Sequence, residues 1–214
     1  MPGRTHWIVI LGSLSAFAVL TSQAAGDSVL RGDVRLTNWL QGRDWPGFDK
    51  LTDAANWSAR SVPVVIAALV IVAGMVWKRW WTESAVLVTA IMVMHASYLL
   101  KEIIASPRPT PDLVDVTEVG GGFGFPGGRA GNVVLFIGAI AWIAGRRIDS
   151  RIARSVMWLA AGFWIVLTGV ARIRVGAHWP SDIVGAWLWT IPALMVITVT
   201  ANHWRFGDPD ATRT

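Results

Sequence analysis

The chain has no cysteine and a single tyrosine in 214 residues, and only 15% of its residues are charged. Without cysteine it can form no disulfide, no thiolate nucleophile and no cysteine-based metal site. The charged fraction falls well short of the roughly 25% of a typical soluble domain, so a surface facing water on all sides is excluded. What is abundant is apolar: 53% of residues are hydrophobic, mean hydropathy is +0.47, and there are fourteen tryptophans. Indoles favour the headgroup layer of a bilayer, so the bias toward tryptophan fits a membrane protein. A formal charge of +5 and a pI near 10.7 would suit nucleic acid. The basic residues, however, flank apolar runs instead of forming a stripe, so membrane topology accounts for them and no nucleic-acid partner is expected.

A helix crosses the hydrocarbon core with about 20 apolar residues, and roughly 17 suffice. Six segments qualify, at 7–25, 61–77, 84–100, 130–145, 155–171 and 183–201. The predicted fold is an all-α, polytopic bundle of six transmembrane helices, a single domain spanning 1–214. A polar insert at 27–60 separates the first two helices. Its Val29, Leu36, Leu40, Phe48 and Leu51 suit short interfacial helices broken around Pro46-Gly47. Ser22-Gln23-Ala24 before Ala25 resembles a signal-peptide cleavage site, but the preceding run is long enough to stay as a span. The pattern sets no oligomeric state.

Orientation follows from basic residues in the short turns. Lys78-Arg79 and the group Arg146, Arg147, Arg151 and Arg154 place two turns in the cytoplasm. The termini, with Arg4, Arg205 and Arg213, then fall there too. The 27–60, 101–129 and 172–182 stretches fall outside. Lys101, Arg108, Arg172 and Arg174 therefore sit on the disfavoured side, which points to an anionic ligand.

Three constellations carry the chemistry. Lys101 and Arg108 are about two helical turns apart if the helix persists, with Pro107 and Pro109 fixing the chain nearby. Arg offers a fork suited to phosphate and Lys a point charge, although both residue types also snorkel to headgroups. A glycine-rich run from Gly120 to Gly128 leads into the fourth span. Its backbone N–H groups, those of Gly127 and Gly128 included, could face an anion at the helix start; a flexible loop is the alternative. Finally, His178 and Asp182 are four apart, on one face if helical, with Pro180 suited to a first helical turn. A carboxylate on one ring nitrogen leaves the other free to attack, and Arg172 would add charge at the phosphate. A plain helix cap is the competing reading. His95 reads as a hydrogen-bonded interior residue, Trp179 and Trp187 as lipid-facing wall, and Arg174 as either a phosphate or a headgroup contact.

Together these motifs resemble the type 2 phosphatidic acid phosphatase superfamily, which also includes vanadium haloperoxidases. Its pattern is Lys-x6-Arg-Pro, then Pro-Ser-Gly-His, then Ser-Arg-x5-His-x3-Asp. Lys101, Arg108 and Pro109 match the first element; Arg172, His178 and Asp182 match the third, with Ala171 in place of Ser. The resemblance implies that His178 is the nucleophile, forming a phosphohistidine, and that Asp182 orients it. Lys101, Arg108 and Arg172 would clamp the phosphate of a lipid substrate, helped by the Gly127 and Gly128 amides, with no metal or other cofactor.

The middle motif departs from the family. Pro126-Gly127-Gly128-Arg129 stands where Pro-Ser-Gly-His is usual, and the family's His there protonates the leaving group. Arg129 stays charged and cannot do so, and such acid catalysis is typically worth about 10²–10⁴-fold. Three expectations follow. The substrate, a lipid of undecaprenyl-diphosphate-like or phosphatidyl type, is a diphosphate, whose leaving phosphate needs little protonation and whose extra charge Arg129 stabilises. Or Glu118 or Asp115 supplies the proton. Or the chain binds or transports lipid phosphates without hydrolysing them.

Overall fold

The computed structural model describes residues 4–25 and 29–203, which contain only helices and connecting turns. Asp27, Arg205 and Arg213 lie outside the described residues. Eight helices follow in order: α1 (Arg4–Ala24), α2 (Arg31–Gln41), α3 (Phe48–Ser58), α4 (Ser61–Trp77), α5 (Trp81–Ile104), α6 (Gly128–Gly145), α7 (Arg151–Arg174) and α8 (Pro180–His203). All six apolar segments are helical. Five of them (α1, α5, α6, α7 and α8) are each long and apolar enough to cross a membrane. The shorter α4 is long enough for a sixth span only when counted together with α3, from which it bends by 59°.

The polar insert supplies α2 and α3, divided at Pro46-Gly47 as its composition suggests. Gly47 adopts φ +76°, a conformation that side chains with a Cβ rarely hold, and so turns the chain between the two helices. Both lie at the end of the bundle where α7 stops and α8 starts. The α7 helix runs further than its apolar stretch, so Arg172 and Arg174 belong to its last turn and the connection to α8 shrinks to 175–179.

Helix α6 is the centre of the bundle, packed against α5, α7 and α8. Within a bilayer the solvent offers no hydrophobic drive between helices, so close packing of small residues holds them together. Gly138 shows this directly: a Cβ there would collide with the Leu194 side chain of α8. One face of α5 (Val86, Leu87, Ala90, Met94) and one of α6 (Leu135, Ala139, Ile143) form the main apolar core. Helix α1 lies against α8, and its Phe17 also stacks on Phe125 of the loop before α6, with ring centroids 5.7 Å apart.

Gly138→Val should wedge α6 from α8 and cost about 1–3 kcal/mol, seen as a lower thermal unfolding midpoint in detergent. Gly12→Val on α1, where a Cβ would meet no atom within 4 Å, should leave that midpoint unchanged.

Candidate active site

Four pieces of chain converge at one end of the bundle: the end of α5 with the loop after it, the start of α6, the end of α7, and the turn into α8. That turn is set by sequence. Pro180 is the first residue of α8, where its missing N–H costs nothing. The Asp182 carboxylate reaches back to the Trp179 N–H at 3.0 Å, the acidic half of a capping box. The same oxygen, Oδ2, lies 3.1 Å from His178 Nδ1. On the other side of the ring, Arg108 Nη1 is 3.3 Å from His178 Nε2. A guanidinium only donates, so Nε2 must accept and Nδ1 must carry the proton donated to Asp182. His178 is thus held as the tautomer whose free lone pair points toward positive charge. Burial, followed by the charges of Lys101, Arg108, Arg172 and Arg129, pushes its pKa well below the ordinary 6.5 and keeps the ring neutral.

The cations converge by a route different from a persistent helix. Helix α5 ends at Ile104, and Ala105 takes φ +55°, so Arg108 comes from the loop. Its Nε and Nη2 donate to the carbonyls of Gly122 (2.8 Å) and Gly121 (2.9 Å), and Nη1 to Ala177 (2.6 Å). Lys101, 7% exposed, donates from Nζ to the Phe123 and Gly124 carbonyls, both at 3.0 Å. The glycine run therefore offers its carbonyls to cations, where its amides were expected to face an anion. The Gly127 amide is also engaged, donating to the Asp182 carbonyl at 2.8 Å. The amides of Gly128, Arg129 and Ala130, in the first turn of α6, have no acceptor within the helix.

Arg172 is 2% exposed, and its Nη1 contacts Asn56 Oδ1 at 2.7 Å and Glu118 Oε2 at 2.9 Å. Arg129 Nη1 pairs with the other oxygen of Glu118 at 2.5 Å. Burial works against the Glu118 charge, but the Asn56 hydrogen bond and the Arg172 and Arg129 guanidinium groups outweigh it and hold the pKa at about 2. A carboxyl ionised throughout the physiological range cannot protonate a leaving group, so Glu118 is removed as a substitute acid. Asp115 is exposed and lines a separate open cavity with Gln41, Asp49 and Arg174.

Several residues missed in the sequence complete the site. Asp33 of α2, 5% exposed, accepts hydrogen bonds from the Ser181 N–H (2.8 Å) and hydroxyl (2.6 Å), next to Asp182. Burial pushes its carboxyl pKa up while these two bonds pull against that. Asn56 of α3 bridges Arg172 and Glu118, its Nδ2 donating to Glu118 at 2.8 Å. Nothing in the local pattern of α2 or α3 marks these partners, which lie 148 and 116 residues away in the chain.

Other expectations are corrected. Arg174 turns away from His178 and holds α2 and α3 through the Leu40 and Arg43 carbonyls and Asp49. Trp179 is 2% exposed, inside the site's wall instead of on a lipid-facing surface. His95 is exposed on α5, its Nδ1 donating to the Ile91 carbonyl one turn back.

The PAP2 superfamily model matches residues 79–206. The chain belongs to the PAP2 superfamily. Among solved structures, a transmembrane PAP2-type phosphatidylglycerolphosphate phosphatase from Bacillus subtilis superposes with a TM-score of 0.79. The match has 18% sequence identity and covers 93% of this chain and 99% of that one, which establishes a shared fold. A comparison with curated protein sequences finds no match. This PAP2 chain is a multi-pass membrane protein with a fold similar to that of a lipid phosphatase.

Nitrogen-15 NMR of selectively labelled protein should find His178 neutral, with the proton on Nδ1, down to pH values well below 6.5; protonation near 6.5 would contradict the charge arrangement. Asp33→Ala removes both acceptors from Ser181 and should cost about 1–2 kcal/mol. A lowered thermal midpoint, together with faster amide exchange at Ser181, would register the loss.

Proposed function

We propose that this PAP2 chain hydrolyses a lipid phosphate or diphosphate, of prenyl diphosphate or phosphatidyl type, through a phosphohistidine on His178. The carrying observation is the His178 ring itself, with Nδ1 on Asp182 and Nε2 turned toward Arg108. In the first step the Nε2 lone pair attacks phosphorus while the bond from phosphorus to the lipid-side oxygen breaks, its electron pair leaving with that oxygen. Asp182 stabilises the positive charge that develops on the ring. Lys101, Arg108 and Arg172, with the first amides of α6, stabilise charge on the phosphoryl oxygens; this is the work a metal ion performs elsewhere. Water then attacks the phosphohistidine, releasing phosphate and restoring neutral His178.

The leaving group decides the substrate. Arg129 stays charged and Glu118 stays ionised, so neither delivers a proton to a departing alkoxide. A diphosphate avoids the problem because its leaving phosphate is already a stable anion. The same Arg129–Glu118 pair favours a second reading, a family member that binds or transports lipid phosphates without cleaving them.

We also place the site on the extracytoplasmic face of the cell membrane. Lys78, Arg79, Arg146, Arg147, Arg151 and Arg154 all lie in turns or helix starts at the opposite end of the spans, as the preference of basic residues for the cytoplasm requires.

Phosphate release should be measured across prenyl diphosphate, prenyl monophosphate, phosphatidate and phosphatidylglycerophosphate, with His178→Ala as the control. The diphosphate should turn over fastest, and His178→Ala should lower its turnover by about 10³-fold or more. Acid-labile label should be trapped only when His178 is present. Binding of all four lipids with no release and no label would leave the non-hydrolysing reading.

A further inference from the structure

The end of the bundle away from His178 holds a polar cavity of about 510 Å³, lined by Trp142, Gly145, Arg146, Arg154, Trp158 and Asn202. It is bounded by the end of α6, the first turns of α7 and the end of α8. Helix α6 starts at the candidate active site and runs 18 residues to Gly145, about 27 Å at 1.5 Å per residue. That length nearly equals the roughly 30 Å hydrocarbon core, so the cavity opens at the headgroup layer of the opposite leaflet.

Its charge is unbalanced. Arg146 lies 4.9 Å from the Trp142 ring centroid and donates from Nη1 to Asn202 Oδ1 at 3.0 Å. Its Nε is 3.7 Å from Glu83, a carboxylate that also takes Arg147 at 3.1 Å. One carboxylate thus serves two arginines. Arg154 donates from Nη2 to the Ile148 carbonyl at 2.6 Å, and among the described residues no carboxylate lies within ion-pair distance of it. Trp158 is 43% exposed. Two guanidinium groups, one backed by an indole, with a second indole and a side-chain amide around one cavity, match a phosphodiester with glycerol-sized substituents.

We infer that this cavity is a second lipid site, which holds the headgroup of an anionic phospholipid from the leaflet opposite the candidate active site. The surplus of positive charge selects a headgroup with net negative charge, phosphatidylglycerol over phosphatidylcholine. The indoles set its depth, since tryptophan rings settle at the level of the headgroups. The site does not depend on the hydrolytic reading, because none of its residues reaches the His178 end.

Native mass spectrometry of the full chain, released from nanodiscs of mixed phosphatidylcholine and phosphatidylglycerol, tests the assignment. Wild type should retain phosphatidylglycerol in preference to phosphatidylcholine. Arg154→Gln should lower that retention about fivefold, the effect of one arginine near an anionic surface, and Trp158→Leu should lower it independently. Arg79→Gln, at the same end of the bundle but in the α4–α5 turn outside the cavity, should change nothing. Equal retention in wild type, Arg154→Gln and Trp158→Leu would overturn the inference. So would an equal loss in Arg79→Gln, which would reduce the effect to general surface charge. Displacement of the retained lipid by millimolar inorganic phosphate would also overturn it, by showing that the cavity selects free phosphate.

Discussion

A guanidinium taken almost wholly out of water costs several kcal/mol unless charge and hydrogen bonds are supplied in return. Arg172 imposes that requirement here, and much of the architecture around the site answers it. Glu118 supplies the charge and Asn56 the neutral acceptor. Glu118 can reach Arg172 only because its segment is pinned, its N–H and that of Thr117 both donating to the Val175 carbonyl. The segment lies that close because Gly176 has no side chain: at φ +66° a Cβ would collide with the Asp115 carbonyl. A single buried cation thereby fixes the loop after α5, the turn before α8 and the position of α3.

The two short helices on this face have a structural reason that their amphipathic composition conceals. Helix α2 grips three separate pieces of chain: the turn into α8 through Asp33, the loop after α5 through Asn38 and Gln41, and the end of α7 through Gln41 and the Leu40 carbonyl, which accepts from Arg174. Its other side exposes Leu36 and Trp39, residues suited to the membrane interface. The segments around His178 are therefore tied to a helix whose outer side is apolar, so a displacement of α2 would be felt at the turn into α8.

Much of this was legible in the sequence because the relevant signals are local or are repeated spacings. Six apolar runs announced six helices, and Pro46-Gly47 announced the break between α2 and α3. The interval from His178 to Asp182 placed both on the turn into one helix, and the match of Lys101 and Arg108 to a spaced motif brought them to the same end. The local geometry that produced this convergence was not legible. Lys101 and Arg108 meet through a left-handed break at Ala105, not along one helix. Glycine runs are permissive in either direction, and composition alone does not say whether amides or carbonyls will face inward; here neighbouring cations decide. The partners of Asp33 and Asn56 are tertiary, and one charged residue in a polar insert looks like another until the chain closes on it.

Under the proposed hydrolysis, the carbonyls of Gly121, Gly122, Phe123 and Gly124 have a kinetic meaning beyond holding two side chains. They occupy positions around Arg108 and Lys101 that water dipoles would otherwise fill. Water must reorient when charge moves to an incoming phosphate, and that rearrangement is part of any barrier in solution. Peptide dipoles fixed in a folded loop have little freedom to reorient, so in that reaction the cations would meet an anion with their solvation already replaced. Folding the glycine loop, well before any ligand arrives, carries out most of that dehydration.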